Sequence, residues 1–244
     1  MLRSGVFAFL FSVILAACGN GQGAGRVVSP DDIRSADYAL LPCPASTETA
    51  PCVLIVAGGK RVLFGTPAGL RAAFGGPTLA SLDAVLLFSL NGADLEGLDE
   101  VRNAGWTSGR EAPLAVGGPS GTRDVVAALN KAYEMSDAQI FVEASPKGGF
   151  GAALLGVLPG EGDAKAVVFD TGDLIVTKIE SADGRAGYWV DYGGERAVLQ
   201  PCAMNLAVKF NEQDAFVLAC GADSPNAWPL GKIRYLVEGA SAEP

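Results

Sequence analysis

One stretch of the sequence decides the fold: VLLFSLNGADLEGL, residues 85–98. Its first half is apolar, as in a buried strand, and the chain then turns through Asn91-Gly92. Leu95 and Leu98 follow at helical spacing. Many α/β proteins carry their functional groups where a strand ends in a turn that opens a helix. The stretch therefore predicts a strand, a functional loop and a helix, in that order.

The frame of this stretch resembles the metal-binding loop of the metallo-β-lactamase superfamily. That loop reads Thr-His-x-His-x-Asp-His-x-x-Gly-Leu after an apolar strand, and this chain keeps the apolar lead, the Gly97-Leu98 end and the spacing between them. The ligands differ, and the family's His, His, Asp and His are replaced by Ser89, Asn91, Ala93 and Asp94. The whole sequence contains no histidine. The resemblance implies the scaffold of a metallohydrolase without its metal chemistry.

Two more segments of the first half carry the resemblance. Residues 52–69 predict a β-hairpin that turns at Gly58-Gly59, because glycine supplies the positive φ angles of a tight turn. In the family the second strand of this hairpin leads to a metal-binding Asp, and we align that Asp with Gly65. Residues 117–122 form a Gly-rich turn before a predicted helix, and the family has a similar turn with a structural role. This turn lacks the Lys and the spacing of a nucleotide-binding loop.

The second half resembles the family in residues 186–220, where a hairpin is followed by another strand. The family's metal-bridging Asp falls on or beside Cys202, and its next His-Glu pair falls on Ala219-Cys220. Without metals, buried ligand groups would be costly, so neutral or small residues are expected there. The degenerate metal-site positions are thus Gly65, Ser89, Asn91, Ala93, Asp94, Cys202, Ala219 and Cys220.

The resemblance implies an α/β (α+β) fold, an αββα metallo-β-lactamase-like sandwich with a shortened C-terminal half. Two mixed sheets would face each other, with helices outside. We expect its strands at 52–56, 60–64, 84–88, 187–192 and 196–200, and a helix at 123–135. Residues 137–163 alternate apolar patches with Gly and Pro and predict no definite element.

The N-terminus predicts a bacterial lipoprotein signal peptide. Arg3 precedes an apolar run at 6–15, and small residues then lead directly to Cys18. We expect cleavage after residue 17, lipid on Cys18, a flexible Gly-rich tether over 18–39, and the domain at 40–240. An ordinary secretory signal and a short membrane anchor are the alternatives. Gly19 after the cysteine is compatible with outer-membrane sorting, so the domain would face the periplasm.

Export would place the domain in an oxidising compartment. Four cysteines remain after Cys18, and four cysteines allow three pairings. We favour Cys43 with Cys52 and Cys202 with Cys220; four free thiols are the alternative. The net charge of −9 makes the phosphate backbone of a nucleic acid a poor partner.

Zinc, which the resemblance implies as cofactor, prefers nitrogen and sulfur ligands. Without histidine the family's site cannot be assembled, so we expect no cofactor and no catalytic residue. Serines such as Ser89 and Ser120 have no histidine to act as base. Asp94 with Cys202 and Cys220 would be a new kind of zinc site.

Two functions follow. The first is a non-catalytic envelope lipoprotein, a pseudoenzyme that binds a small ligand or an envelope protein. The alternative is a hydrolase of this fold with an altered metal site, similar to ribonuclease Z-like phosphodiesterases or to arylsulfatases.

Overall fold

Two β-sheets packed face to face form the centre of the protein. The structure, a computed structural model, describes residues 30–43, 50–201, 204, 216–217 and 234–239. In chain order its strands are β1 (Tyr38–Pro42), β2 (Val53–Ala57), β3 (Lys60–Phe64), β4 (Ala84–Leu86), β5 (Leu114–Gly117), β6 (Leu155–Val157), β7 (Lys165–Asp170), β8 (Ile175–Glu180), β9 (Ala186–Tyr192), β10 (Glu195–Leu199), β11 (Phe216–Val217) and β12 (Arg234–Val237). The helices are α1 (Leu70–Ala80), α2 (Gly92–Leu95), α3 (Leu98–Thr107) and α4 (Thr122–Ala144), with 3-10 turns at Pro30–Asp32 and Phe150–Ala153.

The first sheet is mixed, in the order β12-β1-β2-β3-β4-β5-β6. Its first three junctions are antiparallel, and β3 to β6 run parallel to one another. Parallel neighbours need crossover connections, and the helices supply them here. The second sheet, β11-β10-β9-β8-β7, is antiparallel except for its β10–β11 pair.

Alternation along the strands fills two apolar layers. Every residue of β2 is buried, because Val53 and Ile55 face the second sheet while Leu54 and Val56 face the helices. The layer between the sheets also contains aromatic side chains from both: Tyr38, Phe64, Phe88 and Tyr188. The order helix, sheet, sheet is thus present in the described residues, and the predicted fold class is confirmed.

The hairpin of β2 and β3 is confirmed, with Gly58 and Gly59 at φ 59° and 73°. Helix α1 contains a kink at Gly75. The structure extends one helix prediction, because α4 runs nine residues beyond the predicted end at Met135, to Ala144. Residues 137–163, which gave no prediction, contain the end of α4, a 3-10 turn and β6. Over the part of the chain described, no helix is long and apolar enough to cross a membrane.

A disulfide joins Cys43, just after β1, to Cys52, just before β2, with 5.4 Å between their Cα atoms. Both cysteines are buried. This pairing is one of the two predicted from the sequence. The other pair, Cys202 with Cys220, lies outside the described residues.

A buried ion pair connects the second half of α4 to α3. Arg102 of α3 and Asp137 of α4 both have fully buried side chains. The Nη1 atom of Arg102 donates to Oδ1 of Asp137 at 3.0 Å, and Nη2 donates to Oδ2. The same guanidinium lies 5.0 Å from the ring centroid of Tyr133, one turn earlier on α4. The second half of α4 is therefore attached to α3 by charge as well as by packing.

We predict that Asp137→Asn lowers the free energy of unfolding by about 3–5 kcal/mol, because it leaves the Arg102 charge buried without its counter-ion. The matched control is Glu111→Gln, since Glu111 pairs with Lys147 at the surface, where 67% of its side chain is exposed. That control should cost less than about 1 kcal/mol. Urea unfolding of both variants measures the difference, and equal losses would contradict the prediction.

Candidate functional site

The loop that follows β4 lies where the two sheets meet. It begins at the carboxyl ends of the parallel strands, the usual place for a functional site in α/β sheets. The carbonyl of Leu87 accepts a hydrogen bond from the Tyr188 hydroxyl at 2.5 Å. The carbonyl of Phe88 accepts one from the Ala186 N–H at 2.7 Å. Both donors belong to β9, so this loop connects the first sheet directly to the second.

Two of the predicted positions come together in this loop. The Ser89 hydroxyl donates to Oδ2 of Asp94, and it accepts a hydrogen bond from the Asn91 N–H at 3.1 Å. Ser89 and Asp94 are only 3% and 5% exposed. By contrast, Asn91 and Ala93 point to solvent. Cys202, Ala219 and Cys220 lie outside the described residues.

Thr66, which is fully buried, holds the backbone around Asp94 with two hydrogen bonds. The Thr66 hydroxyl donates to the Asp94 carbonyl at 2.5 Å, and the Thr66 carbonyl accepts from the Gly97 N–H at 2.8 Å. The Oδ1 atom of Asp94 is buried and, among the described residues, has no hydrogen-bond partner. Burial raises the pKa of Asp94, and the hydrogen bond from Ser89 and the charge of Arg185 only partly oppose this shift.

Gly65, aligned with a metal-binding Asp of the family, has no room for a side chain. Its φ is +77°, and a Cβ there would lie 2.0 Å from the Pro51 carbonyl oxygen. Its N–H donates to the Leu86 carbonyl at 2.8 Å, so the end of β3 is also bonded to β4. The backbone at residue 65 therefore leaves no room for a side chain.

A charged pair at this edge was not predicted from the sequence. Lys178 of β8 is fully buried, and its Nζ lies 2.9 Å from Oε2 of Glu180. The Glu180 carboxylate also accepts hydrogen bonds from the Ser120 N–H, at 3.1 and 3.2 Å to its two oxygens. The alternation of β8 contained the signal, because Val176, Lys178 and Glu180 share one face of a strand. The pattern does not predict a lysine at an inward position, because charged strand residues usually face water.

The backbone N–H groups of the Gly-rich turn before α4 donate hydrogen bonds to side chains of the same chain. The N–H groups of Gly121 and Arg123 donate to Oε1 of Glu161 at 3.1 and 2.9 Å. The Ser120 N–H donates to Glu180 in the same turn. Two carboxylates of the chain itself therefore accept hydrogen bonds from the N–H groups at the start of this helix.

These residues do not fit the zinc that the fold resemblance implies. Three of the described positions carry a polar side chain: the Ser89 hydroxyl and the Asp94 carboxylate are bonded to each other, and the Asn91 carboxamide is exposed to solvent. Zinc sites use imidazole and thiolate ligands, with carboxylates in support. Across the residues that the structure describes, no three His, Cys, Asp or Glu side chains are grouped as metal ligands. No chemical step through a metal is therefore derived for this edge.

Solved structures similar to this chain are metallo-β-lactamase-fold proteins. The short form of human tRNase Z is 16% identical, with a TM-score of 0.50 over 70% of this chain and 71% of that one. The metallo-β-lactamase fold protein YhfI of Bacillus subtilis is 12% identical, with a TM-score of 0.44 over 66% and 61%. Zinc-bound PqqB of Methylobacterium extorquens is 15% identical, with a TM-score of 0.43 over 65% and 52%.

No protein-family model matches the sequence, and no curated protein matches it either. At these identities the likeness shows the fold alone. The chain has the metallo-β-lactamase type of fold, with two mixed sheets and helices, as the sequence predicted.

We predict that Gly65→Ala destabilises the protein by about 2–5 kcal/mol, the sum of left-handed backbone strain and overpacking against Pro51. Gly69→Ala is the matched control, because Gly69 also has a positive φ, +89°, but open space around its Cβ position. It should cost only the strain, about 1–2 kcal/mol. Urea midpoints of the two variants test this, and an equal cost would show that the Pro51 contact does not constrain the loop.

We predict that the stability difference between Asp94→Asn and the wild type depends on pH. The folded-state pKa of Asp94 lies above its unfolded value, so ionisation opposes folding. As pH rises from about 4, the ordinary pKa of Asp, through the folded pKa, the wild type should lose stability relative to the variant. Melting temperatures of both proteins between pH 3 and pH 8 measure the difference, and a pH-independent gap would contradict it.

Proposed function

We propose that the protein is a non-catalytic cell-envelope lipoprotein that uses a metallo-β-lactamase fold to bind a small ligand or a protein partner. One observation carries the proposal. Ser89 and Asp94, at two family ligand positions, are buried and bonded to each other, and Gly65 at a third has no space for any side chain. The edge that would carry a metal is therefore closed by the chain's own contacts.

Hydrolysis without a metal also finds little support at this edge. Ser89 is 3% exposed, and its hydroxyl is already engaged by Asp94, so a substrate would have no direct access to it. Ser120 is exposed, but the sequence has no histidine to serve as its base. Binding requires no catalytic group, so it is the function that this arrangement supports.

The anchoring part of the proposal comes from the sequence. The apolar run at 6–15 and the small residues before Cys18 favour a lipoprotein signal, with cleavage before Cys18 and lipid on that residue. The Gly-rich residues after it would form the tether, and the domain would face the periplasm, with Gly19 favouring the outer membrane. Such a location agrees with the Cys43–Cys52 disulfide, because disulfides persist in oxidising compartments.

The charge of the chain narrows the class of partner. With a formal net charge of −9, the protein would be repelled by the phosphates of a nucleic acid, so we propose a small molecule or an envelope protein instead. The loop after β4 is where a ligand would meet the edge of both sheets.

The metal-free part is tested by measuring zinc. We expect protein purified without added metal or chelator to contain far less than one zinc per chain. We also expect it to show background turnover in phosphodiesterase, lactamase and arylsulfatase assays. Chelator should leave its melting temperature unchanged. Stoichiometric zinc together with turnover in one of these assays would establish the alternative, a hydrolase of this fold with an altered metal site.

The anchoring part is tested with Cys18→Ala. A single lipidated cysteine contributes about 0.8 kcal/mol for each buried CH₂ group, so its loss should free the protein from the membrane or leave it unprocessed. Fractionation and metabolic labelling with a fatty acid measure this. Cys43→Ala is a control that should keep its lipid, and unchanged labelling of Cys18→Ala would refute lipidation at that residue.

A further inference from the structure

Lys178 and Glu180 form a charged pair between the two sheets that no apolar packing argument explains. Lys178 is fully buried, and Glu180 is 13% exposed. We propose that Lys178 is an internal cation that fixes the edge where β8 meets the turn before α4. This role of the ion pair does not depend on the proposed function.

The surroundings of Lys178 make its charge costly. Its register partners in the second sheet are Ala166 on β7 and Tyr188 on β9, and Tyr188 is fully buried against the aromatic rings of Phe64 and Phe88. Taking an ammonium out of water in such a place is unfavourable unless a counter-charge lies close. The carboxylate of Glu180 at 2.9 Å provides it.

Glu180 also connects the ion pair to the first sheet. Its carboxylate accepts the Ser120 N–H, which lies in the turn between β5 and α4. Burial raises the pKa of Glu180, but the hydrogen bonds from Lys178 and Ser120 outweigh burial, and the net effect is a lowered pKa. The charged carboxylate thus links a strand of one sheet to the helix that packs on the other.

The pair is placed beside the loop that resembles the metal-binding loop. Glu180 is in register with Ala186, whose N–H bonds to the Phe88 carbonyl next to Ser89. Neighbouring strands lie about 5 Å apart, so the backbone of Glu180 is one strand spacing from the residue that bonds to that carbonyl.

A double-mutant cycle tests the proposal in the full mature chain. The variants are Lys178→Met, Glu180→Gln and the two combined. Lys178→Met should lower the melting temperature by about 6–15 °C, because it leaves Glu180 partly buried without its cation. In the combined variant the loss should be smaller than the sum of the two single losses by at least about 4 °C, the shift that about 1–2 kcal/mol of coupling produces in a protein of this size.

The control cycle uses the exposed pair of Lys147 and Glu111, which should show coupling of less than about 2 °C. Lys178→Met within about 2 °C of the wild type, or strictly additive losses, would overturn the proposal. If Lys178→Met does not fold, Glu180→Gln decides through hydrogen exchange. The Ser120 amide, which bonds to Glu180, should then exchange at least about tenfold faster than in the wild type, and unchanged protection would overturn the proposal. Zinc in the wild-type protein would refute the proposed function but leave this outcome unaffected.

Discussion

Polar groups that are buried where two sheets meet need partners, and this requirement shapes the centre of the protein. A carboxylate or an ammonium removed from water costs several kcal/mol unless a charge or hydrogen bond compensates it. At this edge the chain provides the partners itself. Ser89 bonds to Asp94, and Lys178 bonds to Glu180, which also holds the Ser120 amide. Under the proposed function, these contacts of the chain itself hold the edge together without a metal ion.

The same requirement leaves one group unsatisfied. Oδ1 of Asp94 has no partner among the described residues, and burial raises the pKa of this carboxyl. An unpaired buried acceptor is usually explained by water, an ion or a functional role. Under the proposed function, this acceptor is the group in the loop after β4 to which a ligand would donate a hydrogen bond.

Much of the fold could be predicted because its signals are local. Two glycines between β2 and β3 specify the hairpin turn, and the apolar run ending at Ser89 specifies β4 and its loop. The length of α4 could not be predicted in this way. Its second half depends on Asp137 meeting Arg102, a residue 35 positions earlier, and no local pattern encodes that contact.

For the candidate site, the sequence alignment assigned Gly65, Ser89 and Asp94 to family ligand positions, and the structure shows that the side chains of Ser89 and Asp94 meet. The alignment could not show that Gly65 lies against the Pro51 carbonyl, because that contact depends on how two distant segments pack. Lys178 and Glu180 could not be assigned to the interior from the sequence, because two charged residues on one face of a strand usually face solvent. That face of β8 is interior only because the first sheet packs against it.

The most direct test of a centre held by its own side chains is a crystal structure grown with excess zinc, with anomalous data collected at the zinc edge. The account predicts no anomalous peak beside Ser89 and Asp94, with the Lys178–Glu180 contact intact. A zinc ion bound between this loop and the second sheet, with Asp94 turned towards it, would contradict the account.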